Sequence, residues 1–216
     1  TRAATLATLT MILPHFGFGY FNIFEFSMVN RVVIFPLLLF CLGWYLKKQY
    51  LWVFFFIGIL FNFHALSVIF VLIMFGYDMM MRWKEIGIHK IFQSITLFAI
   101  SALPVLLWKA QTSGVTFLAD YPWFHDVNQG VLMHIYSILT IWPPFIIASI
   151  NGVIQLLMTY MYSRILGNTP VHRVMRNFLI AISITIVFHT LATIFYPSVF
   201  VMQFQLSRIS IFLILL

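Results

Sequence analysis

The sequence predicts an all-α fold: a polytopic transmembrane helix bundle of about seven to eight spans or half-spans, with one more helix lying on the outer membrane surface. Composition is the first reason. Of 216 residues, 62% are hydrophobic and 8% charged, with a mean hydropathy of +1.02, whereas a soluble domain carries roughly 25% charged residues. So few charges cannot cover a water-facing surface, and the solvent must largely be lipid. The second reason is arrangement. Apolar runs at 3–21, 32–46, 50–63, 65–81, 91–109, 143–163, 177–196 and 208–216 are separated by stretches that hold most of the charges. The chain opens on Thr1-Arg2 and stops inside RISIFLILL, so a single transmembrane domain over 1–216, truncated at both ends, is expected.

The first run, 3–21, leads into a polar turn with Glu25, Asn30 and Arg31. The second ends at the basic hairpin YLKKQY, residues 45–50. Next comes FNFHALSVIF, residues 61–70, which sets Asn62 and His64 inside an otherwise apolar stretch. As one rod, Leu51 to Met81 would reach about 46 Å at 1.5 Å per residue, well beyond a hydrocarbon core of about 30 Å. Two short helices turning near His64 fit better. Charge agrees: with that turn, Arg2, Lys47, Lys48, Arg82, Lys84, Lys90, Arg164, Arg173 and Arg176 share one side, leaving Arg31, Lys109 and Arg208 on the other. By the positive-inside rule the richer side is cytoplasmic.

After the run at 91–109 comes the longest outer segment, 110–142. Its apolar second half, Val131 to Trp142, is read as an interfacial helix, set off from the next span by Pro143-Pro144. The run at 177–196 ends at Tyr196-Pro197, and QFQLSRIS opens the last helix with Gln205 and Arg208 at i, i+3, on one face.

Several chemistries are excluded. Cys41 is the one cysteine, so neither a disulfide framework nor a cysteine metal site exists. The net charge of +7 lies between apolar runs and is explained by topology rather than nucleic acid. His125, Asp126, Asp120 and His134 match no metal spacing and are read as a wet loop; no metal and no cofactor are expected. His189 is read as a packing histidine, and Asp78, Glu85, His89 and His172 as solvated cytoplasmic residues. Nucleotide loops, nucleophile elbows and zincin motifs are absent.

The outer side therefore holds the candidate chemistry, and each residue carries two readings. Arg31 either snorkels to the interface or grips a phosphate with its fork, paired with Glu25. His64, beside Asn62, either caps backbone groups at the turn or faces a cavity. Gln205 and Arg208 either edge the membrane or recognise a polar headgroup.

This order of features resembles the GT-C superfamily of polytopic glycosyltransferases, especially bacterial members with an arginine-opened span, a histidine break and a late Q-x-x-R. The matching residues are Glu25 and Arg31, FNFHALSVIF, the outer interfacial helix and QLSR. Ala65 stands where such members carry a proline. The resemblance implies an integral protein of the bacterial inner membrane with a non-cytoplasmic active face, taking a sugar from a polyprenyl-phosphate-sugar donor. It further implies Glu25 and His64 as catalytic residues, with Arg31, Asn62, Gln205 and Arg208 binding the donor. The family's first-loop acid would then lie upstream of Thr1, unless Glu25 serves. A transporter or channel, and a non-catalytic membrane subunit, are the competing classes.

Overall fold

The computed structural model describes residues 30–112 and 169–195, with the single positions 153, 157, 160, 161, 164, 209 and 212. All the described elements are helical. They are α1 (Asn30–Leu46), α2 (Tyr50–Met81), α3 (Trp83–Ile86), α4 (Ile88–Ser101), α5 (Leu103–Thr112) and α6 (Pro170–Phe195). Two compact units divide the chain: Met28–Val115 with Leu166–Ala181, and Thr1–Ser27 with Thr116–Ile165 and Ile182–Leu216. The first holds α1 to α5 and the start of α6. In the second, Ile182, Ile186, His189, Ile209 and Phe212 are buried.

Helix α1 buries Ile34, Leu38, Cys41 and Tyr45, one stripe at helical spacing, while Val33, Leu37 and Phe40 stay exposed. It ends in a Schellman motif. Gln49 N–H donates to the Trp44 carbonyl at 3.1 Å and Lys48 N–H to that of Tyr45 at 2.9 Å. Lys48 takes the left-handed backbone (φ 61°) that this motif requires.

Helix α2 is a hairpin. His64, with φ −154° and ψ 82°, is its one non-helical residue. Either side of it the chain folds back: Phe54 meets Phe75 with ring centroids 6.3 Å apart, and the Arg82 guanidinium reaches the Tyr50 hydroxyl at 3.5 Å. A straight helix would hold Tyr50 and Arg82 about 48 Å apart. The expected turn at His64 is therefore present, and so is the gathering of charge, since Lys48 lies 3.8 Å from Glu85 at one end of the hairpin. The first arm buries Tyr50, Val53, Phe54, Ile57, Gly58 and Leu60. At Gly58 helix α4 comes so close that a Cβ would overlap the Ser101 side chain and stand 2.7 Å from the Phe98 carbonyl oxygen. Glycine is required there by contact, not by backbone angle.

Gly87, at φ 90°, turns the chain from α3 into α4. Helices α4 and α5 then meet at a 63° bend around the buried Ala102. Ser101 Oγ donates back to the Leu97 and Phe98 carbonyls at 2.8 and 3.1 Å, and Pro104 supplies no N–H. Helix α6 begins with Thr169 accepting the His172 N–H at 3.3 Å and Pro170 at the first helical position, a regular N-terminal pairing.

By length and composition, Tyr50–Met81 and Pro170–His189 qualify to cross a membrane, and the bent pair Ile88–Ser101 with Leu103–Gln111 makes up to three. The expected seven to eight spans are not supported. Among the described residues, counting each apolar run as a span overstates the number. The arms of α2 are about 21 and 25 Å long, short of a core of about 30 Å. The runs at 3–21, 143–163 and 208–216, and the helix at 131–142, lie outside the described residues or nearly so.

This geometry makes a labelling experiment decisive. Cysteines placed by His64→Cys and by Glu85→Cys are expected to react with a membrane-impermeant thiol reagent from opposite sides of a vesicle. Native Cys41, buried, stays silent. Reaction of both from one side would show a hairpin that dips into the bilayer and returns.

Candidate functional site

The first unit has two chemically distinct ends. At the turn end, Asn62 is fully engaged. Its Nδ2 donates to the carbonyls of Gly58 (2.9 Å), Ile59 (3.3 Å) and Ser101 (2.8 Å), and its Oδ1 accepts the Val105 N–H at 3.1 Å. Ser101 O and Val105 N are the two groups that a regular helix would join directly. The bend parts them, and the Asn62 amide inserts between them as donor to one and acceptor from the other. This bracket joins α2 to the α4–α5 bend and leaves Asn62 little capacity for a ligand.

His64 is half-buried and caps the second arm: its Nδ1 accepts the Ser67 N–H at 3.2 Å. The extended backbone of His64 and an acceptor aimed at the amide three residues on are the marks of an N-cap. An accepting Nδ1 places the proton of the neutral ring on Nε2. The capping reading of His64 thus has direct geometric support, and it fixes the ring's orientation.

Arg31 lies in the first turn of α1. Its Cα stands about 21 Å along the helix from Tyr45, as His64 does from Tyr50, and Tyr45 and Tyr50 touch, ring centroids 5.1 Å apart. Backbone geometry therefore puts Arg31 at the His64 end of the unit. Glu25, Gln205 and Arg208, and the side chain of Arg31, lie outside the described residues.

The other end holds a site that the sequence reading missed. Asp78, expected to be solvated, is completely buried. It accepts from the Tyr45 hydroxyl at 2.7 Å, from Asn177 Nδ2 at 2.7 Å, from Arg82 Nε at 2.9 and 3.0 Å and from Arg82 Nη2. Tyr45 also stacks on Phe75 at 4.0 Å and tilts against Phe178 at 5.7 Å, which closes the ion pair off with aromatic rings. Burial by itself would lower the Arg82 pKa, but its hydrogen bonds to Asp78 and that carboxylate's charge raise it above the ordinary value. Glu85 adds a half-exposed layer, 3.4 Å from Arg82, 3.8 Å from Lys48 and 3.6 Å from Arg173. The signal available in the sequence was Asp78 and Arg82 at i, i+4 in DMMMR.

Beside this pair opens a cleft of about 500 Å³, lined by Met81, Arg82, Trp83, Lys84, Glu85, Arg173, Arg176 and Asn177. Among the described residues, no group of three or more His, Cys, Asp or Glu is placed to hold a metal ion. The chain matches no known protein family, no curated protein and no solved structure.

Proposed function

We propose that the chain is part of a multi-pass integral membrane glycosyltransferase of GT-C type. It would move a sugar from a polyprenyl-phosphate-linked donor to an acceptor on the non-cytoplasmic face. The observation that carries this reading is the polarity of the hairpin. His64 and the backbone of Arg31 share one end, and Lys48, Arg82, Lys84 and Arg173 crowd the other. Under the positive-inside rule the His64 end is non-cytoplasmic, where lipid-linked sugar donors are consumed. In this mechanism Glu25 deprotonates the acceptor hydroxyl, and Arg31 and Arg208 stabilise the leaving phosphate. His64 orients the donor from its capped position, Gln205 assists Arg208, and Asn62 supports the site by holding the bend.

A secondary transporter is the second reading. Two interrupted helices, α2 at His64 and α4–α5 at Ala102, favour it, because broken helices build substrate sites in transporters.

The test is transfer of radiolabelled sugar from a polyprenyl-phosphate donor in membranes carrying the full-length protein. A charge-assisted hydrogen bond contributes about 1.5–3 kcal/mol, so Arg31→Ala and Arg208→Ala are each expected to slow transfer by roughly ten- to a hundredfold. Arg→Lys should recover little, since lysine lacks the fork, and His64→Ala should cost less than either. Wild-type rates in both arginine variants would remove the phosphate-binding role. No turnover with any such donor, together with substrate-dependent flux in vesicles, would favour the transporter.

A further inference from the structure

We propose that the cleft at the basic end binds the phosphate of an anionic phospholipid headgroup. This goes beyond the transferase reading and rests only on the chain's lying in a membrane. The charges facing the cleft do not cancel. Arg82, Lys84, Arg173 and Arg176 line it, and Lys48 joins through Glu85. Against these five cations stand two carboxylates, Asp78, buried against Arg82, and Glu85, already shared by Arg82, Lys48 and Arg173. The surplus is three positive charges around a cleft of about 500 Å³, a volume within the ordinary range for a small ligand.

The cleft is also built, not a chance meeting of flexible chains. Arg82 is held by Asp78 with its side chain 5% exposed, which fixes one guanidinium in the wall of the cleft. Arg173 and Arg176 are one turn apart on α6, and Lys84 lies over the Trp83 ring at 5.4 Å. Planar guanidinium forks match phosphate oxygens in pairs.

The surroundings select a lipid over a soluble phosphate. Trp83, Trp52, Met80 and Met81 are all more than half exposed at this end, and Met81 and Trp83 border the cleft itself. Exposed tryptophans mark the headgroup level of a bilayer. Basic pockets among helix ends on the cytoplasmic side fit anionic headgroups, whose acyl chains then run along the apolar helix faces.

The experiment uses the full-length protein in phosphatidylcholine nanodiscs with and without spin-labelled phosphatidylglycerol, reading the immobilised fraction of the label. Wild type is expected to hold phosphatidylglycerol in preference to spin-labelled phosphatidylcholine. Arg173→Gln/Arg176→Gln should weaken that preference by about thirtyfold, at the usual contribution of a surface basic residue to anionic-lipid binding. Lys84→Gln, which touches neither arginine, should weaken it by about fivefold. Lys109→Gln, at the far end of α5, should leave it unchanged. Equal immobilisation in wild type and in both cleft variants would overturn the proposal, as would an equal loss in Lys109→Gln, which would make the effect bulk charge. Inorganic phosphate displacing the labelled lipid at the same arginines would overturn the choice of a lipid and assign the cleft to a soluble phosphate.

Discussion

Asp78→Ala is expected to cost about 3–5 kcal/mol of stability, the characteristic loss when one partner of a buried ion pair is removed. The Arg82 guanidinium would be left charged with its side chain 5% exposed, and Glu85 at 3.4 Å is too exposed to replace a carboxylate making contacts at 2.9 and 3.0 Å. The Tyr45 hydroxyl and Asn177 amide would lose their acceptor as well. Since Tyr45 is on α1, Asp78 on α2 and Asn177 on α6, the damage should loosen three helices together. Asp78→Ala/Arg82→Met, which removes both charges, should recover much of the loss, because an apolar pair in place of a buried ion pair is often nearly neutral. Thermal unfolding in detergent, followed by circular dichroism, measures this. A single Asp78→Ala variant within about 1 kcal/mol of wild type would mean the carboxylate is not sealed from water.

Asn62→Leu is expected to cost about 2–6 kcal/mol, because it orphans both the Ser101 carbonyl and the Val105 N–H and each such group carries roughly 1–3 kcal/mol. Leucine keeps the branching of asparagine and suits the apolar surroundings, but its methyls cannot approach as closely as the amide does at 2.8 and 3.1 Å, so the loss includes some crowding. Asn62→Asp should be at least as harmful, since it turns the Nδ2 donor into a second acceptor facing the carbonyls of Gly58 and Ser101. The same unfolding measurement applies, paired with sugar transfer. A variant that melts with wild type but no longer turns over donor would return Asn62 to ligand binding.

These two residues show what the sequence could and could not disclose. The hairpin was legible, because the 31 residues from Leu51 to Met81 are too many for one span and a polar pair stood at their middle. The side on which Lys47, Lys48, Arg82 and Lys84 gather followed from that turn. The helix at 32–46 was legible too, and ends within a residue of Leu46. Asp78 was misread because hydropathy treats a carboxylate near the end of an apolar run as an interface residue. Its burial is decided by Tyr45 and by Asn177, 99 residues away, and no local pattern reports that. Asn62 was read as a binding group because an asparagine in an apolar run asks for a partner. The partner is the α4–α5 bend, and the clue was Pro104, which interrupts the run at 91–109 and removes the N–H that would have bonded the Ile100 carbonyl. Glu25, Gln205 and Arg208 lie outside the described residues, so the grouping at the turn end stands on His64, Asn62 and the backbone of Arg31.

The fold-back of α2 also sets a condition on how the chain enters a bilayer. Each arm, at about 21 and 25 Å, is shorter than a hydrocarbon core of about 30 Å. For the tip to reach the far side the bilayer must thin around the hairpin, and an arm inserted singly would strand the unpaired ends of its backbone in lipid. The two must therefore partition together, with the His64 cap already closed before the tip passes through. Only that small tip has to be carried across. Under the positive-inside rule, Lys47 and Lys48 on one flank and Arg82 and Lys84 on the other would stay on the side of synthesis, so the most basic part of the chain would act as the fixed end from which the loop is pushed.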